Sequence, residues 1–345
     1  MSGPLLKVEK LVKHYPLGGG IFNRDPLVVR AVEDVSFSVE AGETLCIVGE
    51  SGCGKSTIAR LLMRLVDPTS GRVLLEGTDI ASLNKNELRN WRRRMQMVFQ
   101  DPYSSLNPRL TAGQIITEPV ENFERLGRKK REALAAELLH KVGLAPEIMH
   151  RLPSELSGGQ RQRLGIARAL SLKPSIIIAD EAVSALDVSV QAQILNLLMD
   201  LQEQTGIAFV FISHDLGVVE HIGHRVAVMY LGRIVELASC ETLFAHPVHP
   251  YTEALIAAAP VPDPSQIRPG VPIEGEVPSP VKPPSGCAFH PRCPLAEERC
   301  RVEMPTLTSM PDGRAVACHV RAPATQIPAQ QAAAVGRETQ SDVFG

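Results

Sequence analysis

The chain lacks any apolar run long enough to cross a bilayer, which takes about 20 residues as a helix. Its most apolar stretches, Ile176-Ile177-Ile178-Ala179 and Ala208-Phe209-Val210-Phe211-Ile212, have the length of buried strands. The first ten residues, MSGPLLKVEK, lack the apolar core of a secretory signal. Together these absences predict a cytosolic chain that reaches a membrane only through a partner. An excess of one charge is lacking too. A net charge of −2 over 345 residues gives no basis for nucleic-acid binding. No internal repeat is present. Disulfides are not expected in a cytosolic chain, although seven cysteines are present.

What is there is an ordinary globular composition, with 44% apolar and 21% charged residues. The length suits one large domain with an appendage, or two modest domains. Short apolar runs at 45–48, 96–99, 176–179, 209–212 and 226–229 read as buried strands. Helical patterns lie between them, at 128–142 and 189–205. In the second, Val190, Ile194, Leu197, Leu198 and Leu201 share one face. Alternating strands and helices predict an α/β fold with a mostly parallel sheet. Residues 18–26, opening on three glycines, read as a flexible insertion in an early hairpin. From about 260 the density of proline excludes regular helix and marks a linker. The Ala-, Gln- and Pro-rich tail after about 322 reads as disordered.

Gly49-Glu50-Ser51-Gly52-Cys53-Gly54-Lys55-Ser56-Thr57 fits the phosphate-loop pattern G-x-x-x-x-G-K-[ST]. A buried strand precedes it and a helix follows, the context that a phosphate cradle needs. Glycines let successive backbone N–H groups face an anion, and the helix N-terminus adds its positive end. Lys55 is expected on the β- and γ-phosphates and Ser56 on Mg²⁺. The strand at 176–179 ends in Asp180-Glu181. Asp180 is expected to reach Mg²⁺, and Glu181 to orient and deprotonate the attacking water. An exposed acidic pair is the plainer reading of two carboxylates alone; the phosphate loop upstream favours the catalytic one. Cys53 lies within the loop, so thiol reagents are expected to inhibit, with ATP protecting.

A phosphate loop alone fits many nucleotide enzymes. Leu156-Ser157-Gly158-Gly159-Gln160 narrows the class, because Ser157 is a good N-cap and two glycines leave N–H groups open at a helix start. With GESGCGKST, Gln100, LSGGQ, IIIADE, Ser184-Ala185-Leu186-Asp187 and His214 in this order, residues 5–255 resemble the ATP-binding cassette (ABC) family. The resemblance implies an α/β cassette of the phosphate-loop NTPase type. Its core sheet would be mostly parallel, with an antiparallel β subdomain and a helical subdomain. It also implies that Ser157, Gly158, Gly159 and Gln160 bind the γ-phosphate of ATP held by a second subunit. Tyr15 resembles the adenine-stacking aromatic residue. Gln100 resembles the glutamine that touches Mg²⁺ or water, and Asp187 lies in the segment crossing the dimer interface. His214 resembles the γ-phosphate histidine. Ala182 departs from the family, in which proline is common.

Residues 99–109 (FQDPYSSLNPR) and 246–252 (HPVHPYT) resemble the oligopeptide/dipeptide permease ATPases more closely. This likeness implies ATP-driven uptake of di- or oligopeptides, at the cytoplasmic face of the inner membrane as a peripheral subunit. Two transmembrane permease subunits, a second ABC ATPase subunit and an extracytoplasmic solute-binding protein are the implied partners. The 18–30 insertion favours a paralogue as the second ATPase. Import of nickel, glutathione or another solute, and a soluble non-transport ATPase, are the competing readings. The expected division is a cassette over 1–258 with a helical subdomain at about 101–172. A linker and Cys-rich module follow over 259–322, then a tail over 323–345. Four late cysteines, Cys287, Cys293, Cys300 and Cys318, lack the close pairs of a zinc ribbon. Their wide spacing suits a [4Fe–4S] cluster, as the related sequences also imply; zinc and free buried thiols stay open.

Overall fold

The structure, a computed structural model, describes residues 3–17, 27–259 and 275–322. The insertion expected at 18–26, the first part of the Pro-rich linker (260–274) and the tail from 323 lie outside the described residues. Strand β1 (Leu6–Leu17) pairs antiparallel with β2 (Leu27–Val39) out to Leu17 and Leu27, as the expected hairpin. Next come β3 (Thr44–Val48), α1 (Lys55–Leu62), β4 (Ser70–Leu75), β5 (Thr78–Asp79), α2 (Lys85–Trp91) and β6 (Met95–Val98). Four helices follow in succession: α3 (Pro102–Ser105), α4 (Ala112–Glu121), α5 (Arg128–Lys141) and α6 (Gly158–Leu170). The chain then alternates through β7 (Ile176–Asp180), α7 (Val188–Thr205), β8 (Ala208–Ile212), α8 (Leu216–Ile222) and β9 (Arg225–Tyr230). After β10 (Arg233–Ser239), α9 (Cys240–Ala245) and α10 (Pro250–Ala257), a small C-terminal module holds α11 (Glu298–Val302), β11 (Thr308–Ser309) and β12 (Ala315–Val316).

Two sheets form. One is antiparallel, in the order β2-β1-β4-β5. The other has eight strands, in the order β11-β12-β10-β9-β3-β8-β7-β6. Its centre is parallel from β9 to β6, as the alternation of strands and helices predicts. Its β10, β12 and β11 side is antiparallel. The C-terminal module therefore adds two strands to the large sheet.

The parallel strands are apolar throughout because both faces are covered. Leu45, Ile47, Ile176, Ile178, Val210 and Ile212 pack into one core. Their alternates Cys46, Val48, Ile177, Ala179, Phe209 and Phe211 pack into the other. Each buried side chain of this size contributes about 1.5–3 kcal/mol. Helix α7 buries Ile194, Leu198 and Leu201 as its pattern predicts, and also Leu195.

This strand order positions the chemistry. Strands β3, β8, β7 and β6 are neighbours and run in the same direction. The loops after them carry Gly49 to Gly54, His214, Glu181 and Gln100. All four loops leave the same edge of the sheet, the carboxyl edge at which open α/β folds bind ligands.

Candidate functional site

The phosphate loop wraps from β3 into α1. Gly49 has φ of 149°, and a Cβ there would lie 2.2 Å from the Met229 carbonyl oxygen. Gly54 has φ of 107°, and its Cβ would lie 2.2 Å from the Ala31 carbonyl oxygen. Neither position admits a side chain. Gly54 is also the N-cap of α1, and no side chain caps it, so the first N–H groups of α1 stay open to an anion. Lys55 is 5% exposed. Its Nζ donates to the carbonyls of Gly49 (2.7 Å) and Glu50 (3.0 Å), which keeps the ammonium inside the loop.

Ser56 Oγ donates to Asp180 Oδ1 at 3.1 Å, joining the start of α1 to the end of β7. Burial raises the Asp180 carboxyl above the usual carboxylate range, and the bond from Ser56 only partly opposes this. A hydroxyl and a partly desolvated carboxylate beside open helix N–H groups are an oxygen donor set suited to Mg²⁺. Glu181, the next residue, has φ of 49°, unusual for a non-glycine residue. Its N–H donates to the Ile212 carbonyl at 2.9 Å, and its carbonyl accepts from Ser184. The backbone is thus held on both sides and aims the carboxylate off the sheet edge. There Gln100 Nε2 donates to Glu181 Oε2 at 2.8 Å, and His214 Nδ1 lies 3.4 Å from the same oxygen. Three residues expected from three separate motifs thus meet at one carboxylate.

Ser157 caps α6 reciprocally. Its Oγ accepts from the Gln160 N–H, while Gln160 Oε1 accepts from the Ser157 N–H. Gly158 and Gly159 keep the first turn free of side chains. A Cβ on Gly159 would lie 2.6 Å from Val190 Cγ1, so the loop packs closely on α7. Asp187 caps α7, its Oδ1 accepting from the Val190 N–H and the Ser189 hydroxyl. Tyr15, in β1, is half-buried with the Lys13 ammonium 4.9 Å from its ring centroid.

Two expectations need correction. Cys53 is 4% exposed, and burial raises its thiol pKa, so it is not the open target that its place in the loop suggests. The four late cysteines do come within electrostatic reach of one another, and burial pushes Cys287 up to about 11. Among the described residues, however, no group of three or more His, Cys, Asp or Glu side chains is placed to hold a metal ion. The thiols as arranged close no cluster cage.

Sequence reasoning missed how the C-terminal module meets the phosphate loop. Residues 246–252 were singled out only as a subfamily mark. His249 Nδ1 accepts from the Tyr251 N–H and caps α10, with Pro250 in the first turn. Buried Glu236 accepts from the N–H groups of Val248 and His249. Tyr251, fully buried, packs with tilted rings against Tyr230 and Phe289, and its Oη accepts from the Glu50 N–H at 2.9 Å. Arg292, the residue before Cys293, forms an ion pair with Glu50.

The sequence profile of the ABC transporter family matches residues 32–184, and that of the oligopeptide/dipeptide transporter C-terminal region matches residues 235–300. The chain is 80% identical to the "Probable peptide ABC transporter ATP-binding protein y4tS" of Sinorhizobium fredii, over 94% of this chain and 92% of that one. It is 49% identical to the di/tripeptide transport ATP-binding protein DppF of Pseudomonas aeruginosa, over 91% of this chain and 97% of the relative. The dimeric ATP-binding cassette MJ0796, solved with ADP and phosphate, superposes with a TM-score of 0.61 at 31% identity, covering 68% of this chain and 98% of that one. The chain therefore belongs to the ABC transporter ATP-binding family, in the branch that carries the oligopeptide/dipeptide transporter C-terminal region.

Proposed function

We propose that this chain is the ATP-hydrolysing subunit of an importer for di- and oligopeptides, bound at the cytoplasmic face of the cell membrane to two permease subunits. The observation that carries the ATPase reading is the convergence of Gln100 and His214 on Glu181, beside the phosphate loop. The triphosphate lies on residues 49–57, with Lys55 on its β- and γ-phosphates and Tyr15 against the adenine. Ser56 and Asp180 would hold Mg²⁺, with Gln100 near it, and the ion supplies positive charge to the phosphates. Glu181 takes a proton from water. The water oxygen bonds to the γ-phosphorus as the bond to the bridging β–γ oxygen breaks, leaving ADP and phosphate. Lys55 and His214 offset the charge that develops on the γ-phosphate.

A second ATPase subunit completes the site. Its Gly158 and Gly159 counterparts present open helix N–H groups to the γ-phosphate, with the Ser157 and Gln160 counterparts beside them and Asp187 at the interface. The dimeric state of the MJ0796 cassette supports this arrangement. The 18–30 insertion favours a paralogous partner. The peptide part rests on the names of the relatives and on the matched C-terminal region, which favour it over a soluble ATPase or an importer of nickel or glutathione. A solute-binding protein outside the membrane would deliver the peptide. The proposal divides the chain into a cassette (1–258, helical subdomain 101–172), a C-terminal module (259–322) and a tail (323–345). The four late cysteines stay outside it, because as arranged they close no cluster cage.

The deciding experiment is Glu181→Gln. It is expected to retain ATP binding while hydrolysis falls by roughly 10²–10⁴-fold, the range for a lost general base. Near-full turnover would remove Glu181 from the role. Uptake of a labelled dipeptide by cells carrying the wild-type or Glu181→Gln chain tests the substrate. Normal uptake without the chain would reject the peptide.

A further inference from the structure

Arg292 stands 242 positions from Glu50, yet its guanidinium lies on the second residue of the phosphate loop. Its two terminal nitrogens donate to the two carboxylate oxygens of Glu50, at 2.8 and 3.0 Å. The Arg292 side chain is 6% exposed and that of Glu50 30%. One terminal nitrogen also donates to Tyr230 Oη at 3.4 Å, and the guanidinium carbon lies 5.8 Å from the Tyr230 ring centroid. The backbone of Glu50 is fixed as well, its N–H on Tyr251 Oη and its carbonyl on Lys55 Nζ. All three groups of Glu50 therefore have partners. Two of those partners, Arg292 and Tyr251, come from the C-terminal part of the chain.

Glu50 poses an electrostatic problem. It places a carboxylate on the flank of a loop that is to receive a polyanion, and like charges repel. A bidentate guanidinium neutralises that carboxylate and fixes its direction, which an ammonium cannot do as well. We propose that Arg292 is a positioning residue for nucleotide binding: by clamping Glu50 it holds the start of the phosphate loop, so that the C-terminal module sets the ATP affinity of the cassette. This rests on the reading of residues 49–57 as the ATP cradle.

The test uses the full chain. Binding of a fluorescent ATP analogue and steady-state ATPase activity are measured for wild type, Arg292→Ala, Arg292→Lys, Glu50→Gln and the double variant Glu50→Gln/Arg292→Ala. Arg292→Ala is expected to weaken binding by about tenfold or more, as an unpaired charge beside the phosphates would. The KM for ATP rises with it while kcat changes less. Added salt shrinks the defect, because exposed charge repulsion is screened. Arg292→Lys falls between wild type and alanine. The double variant recovers affinity to within about threefold of wild type, since no carboxylate is then left unpaired. If Arg292→Ala is too unstable to assay, Arg292→Gln, which keeps the side-chain bulk, carries the same comparison. Unchanged affinity in the Arg292 variants overturns the inference. So does an equal loss in the double variant, which would mean that Arg292 serves only to dock the module. Wild-type protein that binds no nucleotide would instead remove the ATP reading itself, and this inference with it.

Discussion

Gln100 donates to the Glu181 carboxylate at 2.8 Å, from a loop 81 residues away in sequence. The contact joins the loop after β6 to the end of β7, and it holds the proposed base in place. A hydrogen bond to a charged group contributes about 1.5–3 kcal/mol. Gln100→Ala is therefore expected to keep ATP binding but lower kcat about tenfold. His214→Ala removes a group aimed at the same region, with a loss of about 10²–10³-fold expected from a missing charge stabiliser. Steady-state ATPase assays beside nucleotide titrations separate the two parameters. Weakened binding with kcat unchanged would place both side chains in uniform substrate binding instead.

Packing of the LSGGQ loop on α7 makes a second prediction. Gly159→Ala forces a Cβ against Val190 Cγ1 and is expected to destabilise the chain by about 1–3 kcal/mol, the usual cost of overpacking. Val190→Ala removes the obstructing methyl groups and should recover much of that loss in the double variant. Urea unfolding of the two single variants and the double variant measures the coupling. Additive effects would mean that the two residues do not meet.

Cys53 is expected to resist alkylation in the native chain. Its thiol is buried and its pKa raised, which lowers both access and thiolate content. Iodoacetamide labelling followed by peptide mass analysis should leave Cys53 unmodified in native protein and modify it after denaturation. Prompt native labelling of Cys53 would contradict the packing described for the loop.

His249 ties stability to pH. Burial pushes its pKa from the ordinary 6.5 down to about 3, and its Nδ1 must stay unprotonated to accept from the Tyr251 N–H. The unfolded chain binds a proton that the folded chain refuses, so this contribution is full above about pH 6.5. It is lost as pH falls from there toward 3, with a slope of at most about 1.4 kcal/mol per unit. Glu236, raised by burial, works in the opposite direction at the acid end. His249→Asn keeps an acceptor for the cap without a proton to gain. Urea midpoints between pH 7 and 5 should fall less steeply for this variant; identical slopes would overturn the assignment.

Much of the cassette was legible because its signals are local. The buried strands are unbroken apolar runs, and the phosphate loop needs its glycines and Lys55 within nine positions. Gln100, Glu181 and His214 were each readable as candidates. Their meeting at one oxygen was not, because it depends on the order β3-β8-β7-β6, which no local pattern encodes. Cys53 misled for a related reason. A glycine-rich loop reads as open, whereas Lys55 folds back beneath it and closes over the thiol. Arg292 and Tyr251 were invisible as partners of Glu50 because their contacts depend on how the C-terminal part of the chain packs against the phosphate loop. Only the place of Tyr251 in a subfamily-like segment hinted at a role.

The two strands that the C-terminal module lends to the large sheet change what cutting the chain would do. Cleavage between Ala259 and Gly275 would leave β12 paired to β10 through Glu236 and Leu237, so the nicked protein should migrate as one particle. Deletion from residue 260 onward is a different matter. It would bare the backbone edge of β10, remove Phe289 from the aromatic cluster and leave Glu50 without Arg292. An open strand edge invites pairing between copies. Self-association of such a shortened chain would then report a lost neighbour strand, and a fall in its ATPase activity would not by itself identify a regulatory domain.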